Sequence, residues 1–154
     1  NAVFRMVNDF YSFCSVESSA WVDGNFLPSI LLENRESSQV RSLTYTLGND
    51  FSKSSVYFSD DQIVRNVSNI LFSMQSSVLA SENDLQNARL RYSITVQFED
   101  KIRFSFSVFE KEANSQSEKM LFFVKPEMAK PYSYVLKISE WTMQRMEELF
   151  NYGK

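Results

Sequence analysis

The sequence contains no histidine, one cysteine, three glycines and three prolines. Each shortage excludes a class of chemistry. Without histidine there is no Ser-His-Asp triad, no imidazole general base and no imidazole metal site. Cys14 alone cannot close an internal disulfide or build a thiolate metal cluster, and it reads as a buried free thiol. The glycines are scattered, so neither a P-loop nor a dinucleotide fingerprint exists. Carboxylate pairs such as Asp60 with Asp61 and Glu147 with Glu148 fall at helix positions, where solvated surface is the expected role. The chain therefore reads as a non-enzyme that uses no cofactor and no metal.

No apolar run approaches the ~18 residues that a membrane span needs, so a soluble, intracellular protein with no membrane partner is expected. Asn1, standing where an initiator Met would, leads us to expect a segment upstream. The Asn66-Val67-Ser68 triplet matches a glycosylation acceptor, but Val67 belongs to an apolar helix stripe, and the match reads as chance.

What the chain does have is apolar and aromatic side chains, at 44% and 15% of its 154 residues. That is enough for one substantial core, and residues 1–154 read as one domain. The clearest unit spans residues 90–150. Leu90, Tyr92, Ile94, Val96 and Phe98 interleave with Arg91, Ser93, Thr95 and Gln97, the period-2 signature of a half-buried strand. After a turn at residues 99–101, Ile102, Phe104, Phe106 and Val108 alternate with Arg103, Ser105 and Ser107, which predicts an antiparallel hairpin over one core.

The rest follows the same grammar. Residues 3–13 lean towards strand, and residues 26–33 read as a strand with Pro28 marking an edge or a start. Residues 40–47 alternate, Gly48-Asn49-Asp50 makes a turn, and residues 55–58 form a brief strand. Ser59 and Gln62 stand at capping-box spacing before a helix whose stripe is Ile63, Val67, Ile70, Leu71, Met74 and Val78. Residues 76–87 are a polar connector, 113–118 a polar loop, 120–124 a strand, 126–131 a turn and 132–138 a strand. Ser139 caps a last helix with Met146, Leu149 and Phe150 in its stripe.

Each half thus ends in a short strand, a serine cap and an amphipathic helix. Sliding Ile63, Val67, Ile70 and Leu71 by 79 positions lands on Thr142, Met146, Leu149 and Phe150. This predicts two pseudo-repeats, about 1–79 and 80–154, each of four strands and a helix.

The net charge of −3 argues against indiscriminate nucleic-acid binding through overall charge, and leaves room for a local basic face. In the second half eleven basic and eleven acidic residues cancel without mixing. Arg91, Arg103, Lys125 and Lys137 fall within predicted strands, opposite the apolar set, while the acids gather in turns and on the last helix. A sheet face of cations, hydroxyls and Gln97, with Phe109 and Phe123 among them, suits single-stranded nucleic acid: cations meet phosphates, hydroxyls meet sugars and base edges, and rings stack on bases.

The doubled plan, with RLRYSITVQFEDKIRFSFSVFE followed by SYVLKISEWTMQRMEELF, resembles the Whirly fold of single-stranded nucleic-acid-binding proteins, nearest its trypanosomatid mitochondrial guide-RNA-binding branch. The resemblance runs over about residues 26–150. The Lys-Gly-Lys-Ala-Ala-Leu signature of the plant branch has no counterpart here. The resemblance implies an α+β fold of two antiparallel sheets packed crosswise with two helices, assembly into a tetramer with itself or with a more basic homologous subunit, and single-stranded RNA held or annealed on the sheet surface. It further implies a place in RNA editing in the mitochondrial matrix. On that reading Arg91, Arg103 and Lys137 position phosphates, beside Ser93, Thr95, Ser105 and Ser107. The alternative is a non-catalytic interaction or scaffold domain that touches no nucleic acid, a reading favoured by the acidic net charge.

Overall fold

A computed structural model describes residues 24–27, 32, 34–58, 62–76, 78–114, 117–128 and 133–151. Their strands are β1 (Val40–Leu47), β2 (Ser54–Phe58), β3 (Leu79–Ala80), β4 (Arg89–Phe98), β5 (Arg103–Asn114), β6 (Ser117–Pro126) and β7 (Val135–Ile138). The helices are α1 (Gln62–Ser73) and α2 (Glu140–Asn151). All strand pairs are antiparallel, in one sheet of order β2-β1-β4-β5-β6-β7-β3. The fold is α+β.

Side-chain alternation decides which face is covered. Leu43, Tyr92, Ile94, Val96, Phe98, Phe106, Val108, Phe122, Val124 and Leu136 project to one face and are buried there. Both helices lie on that face. Phe150 of α2 stacks on Tyr45 at 4.8 Å between ring centroids, and Phe72 of α1 meets Phe98 edge-on at 6.0 Å. Each helix is 12 residues long. Val64, Val67 and Leu71 are buried on α1, and Met143, Met146 and Phe150 are buried at the positions 79 further on. The paired stripes are those of two helices seated alike on one sheet.

The N-terminus of α2 forms as its sequence requires. Ser139 Oγ accepts from the Thr142 N–H at 3.1 Å, satisfying one of the donors that a helix start leaves open. Ser139→Ala is expected to cost about 1 kcal/mol, read as a lower urea midpoint at unchanged slope.

Several expectations are corrected. In place of two crosswise sheets, the described residues form a single sheet, because β1 bonds edge to edge with β4 from Val40↔Phe98 to Leu47↔Tyr92 and joins the halves in one ladder. Phe26 and Leu27 are a buried bend rather than a strand: the Phe26 N–H donates to Met74 O at 3.2 Å and Gly24 O accepts from the Ser76 N–H at 2.8 Å, so this segment bonds to the chain leaving α1. The polar loop expected at 113–118 is instead the tip of a long β5–β6 hairpin, whose ladder reaches Asn114↔Ser117. Val78 lies beyond the end of α1 and is exposed. The strand expected at 3–13, Cys14 and the Ser59 cap lie outside the described residues. Among the described residues no helix is long and apolar enough to cross a membrane.

Candidate nucleic-acid interface

The face away from the helices is built in rows that the strand register dictates. One row runs Phe58, Ser42, Gln97, Arg103 across β2, β1, β4 and β5. The next runs Val56, Thr44, Thr95, Ser105, and the third Ser54, Thr46, Ser93, Ser107. Strands about 4.8 Å apart make each row about 14 Å long. Together the rows floor a groove of about 800 Å³ with eight hydroxyl side chains in its lining. Some hydroxyls already pair: Thr95 Oγ1 and Ser105 Oγ are 2.8 Å apart, and Thr46 Oγ1 and Ser54 Oγ 2.9 Å. Each such pair spends one proton and leaves acceptor and donor capacity facing outward.

Cations gather at one end. Arg41, Lys101 and Arg103 line the groove, and among the described residues none of the three has a carboxylate partner. Arg103 is oriented by a neutral group, its Nε donating to Gln97 Oε1 at 3.0 Å, which leaves the outer guanidinium nitrogens unspent. Lys101 holds a left-handed backbone, φ 68°, in the β4–β5 turn. That conformation disfavours a side chain bearing Cβ, and the turn is fixed by Asp100, which accepts from the Ile102 N–H and pairs with Arg35 at 2.8 Å. Glu127 is the one carboxylate among the described lining residues. Phe58 stands at the far end of the first row, 58% exposed on an edge strand.

Two β-bulges decide which arginines belong here. Strict alternation from Leu43 and Tyr45 places Arg41 on the helix-covered face. The register slips between Val40 and Ser42, so Val40 keeps the core and Arg41 turns into the groove. The mirror event occurs on β4. Arg91, expected beside Ser93 on the open face, sits where the register slips between Leu90 and Tyr92. Leu90 takes the groove side, and Arg91 reaches round to Glu147 of α2 and to Glu110. Its Nη2 lies 3.0 Å from Glu147 Oε2, and Arg89 also pairs with Glu110. Arg91 is therefore a tie between helix and sheet and does not line the groove.

The network has its own electrostatics. Glu110 is 4% exposed, and burial alone raises a carboxyl pKa. Hydrogen bonds from Arg89 and Arg91 outweigh that and hold it below the usual glutamate value. The Arg91 guanidinium is shifted up, first by its hydrogen bonds to Glu147, and stays charged.

Of the expected site residues, Ser93, Thr95, Arg103, Ser105 and Ser107 share the groove. Lys137 is exposed on the same side of the sheet, but pairs with Phe123 two strands beyond β4, away from these rows. Arg41, Lys101 and Phe58 were not expected. Arg41 is betrayed only by the bulge, and Lys101 reads in the sequence as an ordinary turn residue. No protein-family model, curated protein or solved structure matches the chain.

Proposed function

We propose that the open sheet face binds single-stranded RNA and holds it extended across β2, β1, β4 and β5. The observation that carries this reading is the composition of one continuous groove: cations with no carboxylate partner among the described residues along its first row, a hydroxyl floor beside them, and an exposed ring where that row meets the β2 edge. Arg41, Lys101 and Arg103 take phosphates as charge-assisted hydrogen bonds. The floor of Ser93, Thr95, Ser105 and Ser107 offers partners to ribose 2′-hydroxyls and base edges, and Phe58 offers a face on which one base stacks. A duplex fits this site poorly, since its bases are already stacked and paired. The protein acts without catalysis.

The Whirly-like duplication belongs to the same proposal. It is supported by the 79-position offset that carries β1, β2 and α1 onto the regions of β6, β7 and α2. On this plan, assembly with a more basic subunit compensates the net charge of −3 when RNA strands are brought together.

The test is a titration of a labelled oligouridylate of about twelve nucleotides against salt. Three cation–phosphate contacts on a single strand predict that log K falls with log salt at a slope of about −2. The DNA counterpart is expected to bind more weakly, because it lacks the 2′-hydroxyl. Binding that ignores salt, or no binding at low salt, would show that the groove serves another purpose.

A further inference from the structure

The sheet carries a second set of cations on the same outer face, and a short acidic turn lies across it. By register, Ser107↔Lys125, Phe109↔Phe123 and Lys111↔Leu121 are successive outward-facing and alternate positions on β5 and β6, with Lys125 and Lys111 bracketing the two rings. The 3₁₀ turn Glu82–Leu85 ties to both brackets: Lys125 Nζ donates to Glu82 Oε1 at 2.9 Å, and Lys111 Nζ donates to Asp84 O at 3.2 Å. The turn therefore passes over the Phe109–Phe123 pair, and Phe123, facing outward by register, is only 3% exposed. Ser133 Oγ donates to the same Glu82 oxygen at 2.8 Å. One ammonium and one hydroxyl converging on one carboxylate oxygen form an anion site that is filled from within the chain.

This site continues the groove. Lys125 is the next position of the third hydroxyl row, after Ser107, and a pocket of about 470 Å³ joining Ser107, Phe109, Lys125 and Ser133 adjoins it. Resting on the RNA-binding reading above, we propose that Glu82 occupies a further phosphate subsite formed by Lys125 and Ser133, and that the turn is an internal competitor which an RNA phosphate displaces. Displacement uncovers Phe109 and Phe123 for a second stacked base. The turn is suited to lifting: the side chains of Glu82, Asn83 and Asp84 are all exposed, and the apolar surface given up is that of the two rings, which a stacked base covers again. Its own shape is kept by a reciprocal cap, with Ser81 Oγ accepting from the Asp84 N–H and Asp84 accepting from the Ser81 N–H, which lets it move as a unit.

Oligouridylate affinity of Glu82→Gln, measured against salt, tests the proposal. The variant is expected to bind about 3- to 10-fold tighter than the parent at low salt, with a slope steeper by about 0.7 for the single added phosphate contact. Lys125→Ala alone should leave parental affinity within about twofold, since in the parent a phosphate gains Lys125 only at the expense of its pair with Glu82, and Glu82→Gln combined with Lys125→Ala should lose the gain. Glu148→Gln, which removes an exposed charge from α2, should not reproduce it. Glu82→Ala repeats the test if the glutamine keeps the turn in place. Parental binding with no gain from either Glu82 variant, or a gain that survives loss of Lys125, overturns the subsite and leaves the groove reading standing. Absence of binding by parent and variants alike overturns both.

Discussion

Arg91→Ala is expected to destabilise the fold by about 2–4 kcal/mol while leaving the RNA affinity of the folded molecules unchanged, the reverse of what its place in the strand pattern predicts. The guanidinium bridges Glu147 on α2 and Glu110 on β5. Removing it leaves Glu110, 4% exposed, with Arg89 as its one remaining ion-pair partner among the described residues. Breaking a buried pair from one side costs about 3–5 kcal/mol, and the estimate is set lower because the Arg91 side chain is itself 32% exposed. Urea unfolding reads the loss, and binding per folded molecule reads the lack of effect on the groove.

The same network sets an acid limb. The Glu110 pKa is lower in the folded chain than its ordinary value of 4.5. The unfolded chain therefore takes up the proton first as the pH falls. Stability from this group is fully present above the ordinary glutamate range and is lost as the pH drops through the depressed folded value. Glu110→Gln should flatten stability across that window, although its neutral amide pairs less well with two arginines at neutral pH. A Glu110→Gln variant with an undiminished acid limb would assign the limb to other carboxylates; Asp50, Asp84 and Asp100 are depressed as well, chiefly by hydrogen bonds from Ser52, Ser81 and Arg35.

Where local pattern and tertiary pairing agree, the sequence was legible. The β4–β5 hairpin follows from nine residues of alternation and a short turn, and both helices follow from their apolar stripes. Ser139 was readable as a cap because capping chemistry is local. Bulges were not readable. One extra residue in a strand leaves no mark in composition, yet it reverses the face of its neighbours, and so Arg41 and Arg91 exchange roles. The β5–β6 hairpin tip was missed for a different reason: Asn114 and Ser117 look like loop because the ladder there runs past the main core and is held by backbone pairing more than by apolar burial. The pairing of β1 with β4, which makes one sheet of the two halves, joins residues about fifty positions apart and is set by which edges meet, not by either segment alone.

Reversing all three groove cations, in Arg41→Glu with Lys101→Glu and Arg103→Glu, is expected to weaken oligouridylate binding by about 10²- to 10³-fold at low salt, at about 1 kcal/mol or more for each charged hydrogen bond lost. All three residues are exposed and lack carboxylate partners among the described residues, so the folded state should lose little. The salt slope carries the sharper information. It should fall from about −2 towards zero, because the counterions released by phosphate neutralisation are no longer released. Phe58→Ala separates stacking from charge: stacking contributes about 1–3 kcal/mol per base, and its loss should lower affinity at every salt concentration without changing the slope. If the triple reversal binds with the parental slope, the phosphates lie elsewhere on the molecule. If Phe58→Ala changes the slope as much as the cations do, the ring is holding the groove's shape and is not taking a base.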